Sequence, residues 1–235
     1  MKNRILFLTL IILVIAGLTG CEKDTTAGFT KITYYPTLEV LGGATVIAPL
    51  GKTYVDAGVK AELQGADVSN KVISTSTVNS NVGGVYSVSY EITNADGYKR
   101  TASRTVYIAD LTPSPIATGM HTVSAGTNRV VIKTGVKVNY SGYSILVLQT
   151  APGVFYISDF MGGYYDKRAG YGTSYAMTGY FKVNADNTLS LVSSHIAGWG
   201  DSLNEMKNAS VDPVTGKITL SAIYAGSYSF NVILN

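Results

Sequence analysis

Two segments of the chain bring together side chains able to do chemistry. Residues 158–175 hold Tyr164, Tyr165, Asp159, Asp166 and Arg168 among glycines, and residues 195–202 hold Trp199, the sole tryptophan, beside Asp201. Flat aromatic faces cover the C–H surfaces of a sugar, while carboxylates and a guanidinium exchange hydrogen bonds with its hydroxyls. Gly198 and Gly200 flank Trp199 and permit unusual backbone or a close approach. The same residues also read as a plug over a core, because large aromatics are mostly buried. Trp199, Tyr164 and Tyr165 as stacking faces, with Asp159, Asp166, Arg168 and Asp201 as polar partners, form the candidate ligand site. The bland alternative stands beside it.

Other constellations point away from catalysis. His121 and His195 are the only histidines and belong to no HExxH or nucleophile-elbow motif, so they read as surface or strand residues. A glycosidase pair drawn from Asp159, Asp166 and Asp201 would need a separation of about 5 to 9 Å, which sequence does not supply. Asp186 and Asn187 lie in a turn that needs no calcium to explain it. The reading is therefore of a non-enzyme that requires no cofactor and no metal. Cys21 is the lone cysteine, which excludes disulfides within the chain and multi-cysteine zinc sites. With 18 Lys and Arg against 15 Asp and Glu, and 16 against 15 once Lys2 and Arg4 are set aside, the chain lacks the basic footprint of a nucleic-acid binder.

The elements that must position these residues are strands. In residues 85–92, Tyr86, Val88, Tyr90 and Ile92 alternate with polar neighbours, the two-residue period of a half-buried strand. A turn at residues 94–97 leads to a second strand over 98–109, which completes a hairpin. Shorter strands are expected at 44–49 and 58–63. Residues 110–115 carry Pro113 and Pro115 and read as a semi-rigid linker over 111–115. Beyond it, strands are expected at 129–138, 143–150, 154–160, 177–183, 189–195, 217–224 and 227–234, with one short helix at 203–208. The fold class is all-β, with two antiparallel β-domains at 36–110 and 116–235. For the second, periodicity leaves a barrel and a sandwich both open.

Three stretches resemble known families. Lys2, Arg4 and an apolar run over residues 5–18 end in Leu18-Thr19-Gly20-Cys21, which resembles the lipobox of bacterial lipoproteins. That resemblance implies a signal peptide at 1–20, acylation of Cys21, a membrane-anchored tether at 21–35 and, with the acidic Glu22-Lys23-Asp24, display on the outer membrane surface. Residues 51–61, Asp67, 83–90, Asp96-Gly97 and 104–106 resemble bacterial immunoglobulin-like modules, which implies a sandwich of about seven strands over 36–109. In that module Tyr54, Tyr86 and Tyr90 read as core or corner residues. Residues 156–165, 186–189, 198–201 and 224–226 resemble the C-terminal domain of small Bacteroidetes lipoproteins associated with glycan-utilisation systems. The implied partners are a membrane, through the lipid, a glycan, and a TonB-dependent transporter with its lipoprotein lid. A structural or adhesion spacer is the alternative function, and a weak hydrolase the more remote one.

Overall fold

The computed structural model describes residues 32–235. The expected signal peptide, Cys21 and most of the expected tether lie outside the described residues. Residues 36–235 form one compact unit built from two β-modules.

The N-terminal module has seven strands in two sheets. One sheet holds β1 (Thr37–Val40), β3 (Val59–Leu63) and β4 (Ala66–Asp67) in the order β1-β3-β4. The other holds β2 (Thr45–Pro49), β5 (Ile73–Ser76), β6 (Gly84–Thr93) and β7 (Lys99–Ala109) in the order β2-β7-β6-β5. The long hairpin is the expected one, paired in register from Gly84 with Ile108 to Thr93 with Lys99. Its alternation sends Val88, Tyr90, Val106 and Ile108 into the core with Ala48. Arg104 points inward as well and is 1% exposed, so its charge must be matched. Asp56 does this: it pairs with Arg104 and accepts hydrogen bonds from the hydroxyls of Tyr54 (2.9 Å) and Tyr90 (2.6 Å). Tyr90 is thus a core residue and Tyr54 a partly buried one at its edge, both tied to the ion pair of the buried Arg104.

The C-terminal module resolves the choice between barrel and sandwich in favour of two facing five-stranded antiparallel sheets. The first contains β8 (Gly119–Thr122), β11 (Ser144–Ala151), β12 (Val154–Ile157), β13 (Thr178–Val183) and β14 (Leu189–His195), ordered β14-β13-β12-β11-β8. The second contains β9 (Asn128–Val131), β10 (Lys137–Asn139), β15 (Glu205–Val211), β16 (Ile218–Tyr224) and β17 (Tyr228–Leu234), ordered β10-β9-β17-β16-β15. Isolated bridges, Val123 with Leu234 and Thr188 with Ser210, stitch the two sheets together. The core between them is rich in aromatics, including Phe155, Phe160, Phe181 and Phe230, each fully buried.

The helix expected at 203–208 is absent, and β15 occupies that stretch instead. A register shift between Lys207 and Ser210, with Asn208 at φ 47°, puts Met206 and Ala209 on the same face three residues apart. A bulge therefore imitates the spacing of a helix. The expected strand at 129–138 is likewise divided into β9 and β10 by a turn.

The stretch after β7 is anchored rather than free. The Asp110 amide donates to the Gln149 carbonyl (2.8 Å), and the buried Gln149 side chain donates to the Thr112 hydroxyl (2.7 Å). Ala109, Leu146 and Leu148 form a small apolar cluster there, covered by Tyr107 and Tyr156.

Candidate aromatic cleft of the C-terminal module

The loop between β12 and β13 carries the first candidate segment, and it is built around Asp159. This carboxylate is 2% exposed. One oxygen accepts from the amides of Met161 (2.8 Å) and Met177 (3.1 Å), the other from the Gly163 amide (2.8 Å). Burial pushes its pKa up to about 6, against the lowering effect of those three amides. Asp159 therefore braces the loop from within and does not face a ligand, contrary to the sequence expectation.

Gly163, at φ 80°, then turns the chain into a π-helical turn over Tyr164–Arg168. Its wide ring is closed by the amides of Arg168 and Ala169, which donate to the carbonyls of Gly163 and Tyr164 at 2.9 Å each. Tyr164 points inward and is 7% exposed, edge-on to Tyr140 and Phe230. For Tyr164 the core reading holds, and it is not a stacking face. Tyr165 is half-buried beside it, its ring edge-on to Tyr164 at 5.1 Å and to Trp199 at 4.8 Å, and close to parallel with Tyr171 at 6.0 Å. Asp166 pairs with Lys167 at 3.1 Å, and Arg168 is exposed, its guanidinium over the Tyr164 ring.

The second segment is a tight loop from Ile196 to Asp201, closed by an Ile196–Asp201 bridge and anchored by the fully buried Ile196. It seats Trp199 with its ring 41% exposed. Beneath it lies Tyr224 of β16, close to parallel at 6.1 Å, whose hydroxyl donates to Asp201 at 2.8 Å. Burial, and then the bond to Asp201, raise the Tyr224 pKa, so this ring stays a neutral donor. The loop docks on the first segment through the Gly198 amide, which donates to the Ser174 carbonyl at 2.7 Å.

The two segments thus meet. Tyr171, Tyr175 and Trp199 line an open cleft of about 300 Å³, with Tyr175 edge-on to Trp199 at 4.9 Å. Of the candidate residues, Trp199 forms the wall and Tyr165 lies against it. Asp201 is held against the Tyr224 beneath, whereas Asp166 and Arg168 belong to the neighbouring turn. Tyr171 and Tyr175 were in the segment that the sequence singled out but were not selected. Tyr224 looked like an ordinary strand residue.

Residues 38–108 match the family model described as a bacterial surface protein, Ig-like domain, and residues 110–235 match a model describing a C-terminal domain. The chain is similar to the crystal structure of the lipoprotein BT2262 from Bacteroides thetaiotaomicron, at 43% identity over 86% of this chain and 100% of that one, with a TM-score of 0.70. The chain belongs to the BT2262 family. In this chain the Ig-like module is followed by the five-on-five sandwich that carries the cleft. Two Clostridium perfringens ZmpB structures also match at 18% identity. One, of CBM51-2 in complex with GlcNAc and INT domains, covers 52% of this chain and 31% of that chain at a TM-score of 0.28. The other, of the M60 catalytic domain with CBM51-1 and CBM51-2, covers 53% and 15% at 0.30. Neither likeness carries an argument here. No curated protein matches the chain.

Proposed function

We propose that this BT2262-family protein is a lipid-anchored bacterial surface protein that binds glycan without cleaving it, as an accessory of polysaccharide uptake at the outer membrane. The observation that carries the reading is the half-exposed Trp199 in a cleft with Tyr171 and Tyr175, backed by Tyr165 and Tyr224. A large ring left in water at the end of a rigid sandwich is costly unless something apolar covers it, and a sugar face does so. Binding without cleavage follows from where the carboxylates go: Asp159 is spent on backbone amides, Asp201 on Tyr224 and Asp166 on Lys167. The lipobox-like Leu18-Thr19-Gly20-Cys21 supports anchoring through Cys21.

A glycan panel probed with the full chain tests the reading. Retention of at least one polysaccharide is expected, and Trp199→Ala should abolish it with the melting transition nearly unchanged. If Trp199→Ala instead cost roughly 3 to 5 kcal/mol, the value for a core aromatic, and the wild type retained no glycan, the cleft would be a plug. The anchor is checked separately: Cys21→Ala should release the chain from membranes.

A further inference from the structure

Beside the cleft, on the far side of Tyr165, two guanidinium groups share one tyrosine ring. Arg129 of β9 lies 4.9 Å from the centroid of Tyr164 and 4.9 Å from that of Tyr228, and its Nε is buried with no hydrogen-bond partner. Arg168 lies 5.4 Å from the same Tyr164 ring and is exposed. Among the described residues neither forms an ion pair: Asp166 is paired with Lys167, and Asp159 is enclosed by three amides. A partly buried cation without a counter-charge, here Arg129, is costly, and with the exposed Arg168 beside it the two raise a positive potential that an anion lowers. A planar guanidinium suits a carboxylate or a sulfate, which it can meet with two hydrogen bonds.

The cleft and this cationic patch are contiguous. Tyr165 touches Trp199 at 4.8 Å on one side and Tyr164 at 5.1 Å on the other. A saccharide longer than one unit, stacked on Trp199 and continuing over Tyr165, therefore carries a substituent toward Arg168. We propose that the glycan taken by this cleft is acidic, its carboxylate or sulfate received by Arg168 while Arg129 holds the Tyr164 and Tyr228 rings in place beneath. This inference rests on the glycan reading and adds the charge class of the ligand.

Affinity gel electrophoresis of the full chain in mild detergent tests it, with polygalacturonate as the carboxylate probe, chondroitin sulfate as the sulfate-bearing probe, and dextran and galactan as neutral ones. The expected result is retardation by an acidic polymer at least tenfold stronger than by a neutral one, weakening as salt is added. Arg168→Gln should weaken it at least fivefold, Arg168→Lys less, and Trp199→Ala should abolish it. Lys60→Gln, at a surface pair of the N-terminal module, should leave it unchanged. Retardation by polygalacturonate assigns a carboxylate, and retardation by chondroitin sulfate alone assigns a sulfate. Neutral polymers bound as tightly as acidic ones, with Trp199→Ala still abolishing binding, would overturn the charge assignment and leave the glycan reading intact. Equal losses from Lys60→Gln and Arg168→Gln would reduce the effect to net charge and overturn it too. No retardation by any polymer would remove the glycan reading and this inference with it.

Discussion

Asp159 and Asp56 are both carboxylates held inside a module, and they respond to acid in opposite senses. Burial raises Asp159 to about 6, so its contribution to stability is fully present below the ordinary carboxylate range and is lost as pH rises through 6. Measured against Asp159→Asn, which does not titrate, the wild type should lose about 2 kcal/mol between pH 4 and pH 6.5 in denaturant titrations. A difference that stayed flat across that window would mean that the carboxyl is not enclosed. At Asp56, burial raises the pKa, but hydrogen bonds from Tyr90, Tyr54 and the Gly58 amide, together with Arg104, outweigh it and leave the pKa lowered. Its contribution is present at neutral pH and is lost only as pH falls through that lowered value. Neither role is written in the residue type. Asp159 looked like a sugar ligand because it stands in a polar, Gly-rich segment, and only the fold of the loop turns it inward.

Among the elements, long strands with a clean two-residue period were legible, and β6 and β7 follow their alternation residue by residue. Legibility failed wherever the backbone departs from a regular period. The bulge in β15 produced a helix-like spacing, and the four-residue β8 is too short to establish any period. The π-helical turn did the same to the site: neighbouring Tyr164 and Tyr165 both pack on Phe230, yet only Tyr164 is buried, and no two-fold or 3.6-fold pattern says which one. The Trp199 loop was better marked, because Gly198 does serve a close approach. A Cβ there would lie 2.5 to 2.8 Å from atoms of the Tyr175 ring, which would have to swing aside. Gly198→Ala is accordingly expected to weaken glycan retention by about tenfold, with a melting temperature within a few degrees of wild type, since the ring that moves lines the cleft rather than the core. Unchanged retention in this variant would remove Tyr175 from the site.

At the scale of the molecule, each module has its own core, and the seam between them is a further small cluster around Ala109, Leu146 and Leu148. The backbone and side chain of Thr150 approach Gly83 so closely that a Cβ there would sit 2.8 to 2.9 Å from them. Separate cores lead to the expectation that residues 36–110 and 116–235 each melt cooperatively when expressed alone. The seam adds that the second piece, with Leu146 and Leu148 uncovered, should melt roughly 5 to 10 °C below the same module in the intact chain. Two unfolded fragments by circular dichroism would show instead that neither core suffices. One further consequence follows from the single tryptophan. Trp199 stands in the cleft, and four tyrosines lie within 4.8 to 6.1 Å of it. The chain therefore carries a single indole, which can be excited at the red edge apart from its 17 tyrosines and which stands where a ligand would lie. Its emission reports occupancy of the cleft and is blind to the N-terminal module. An anionic quencher such as iodide, concentrated by the nearby guanidinium groups, should dim it more than caesium does at equal strength.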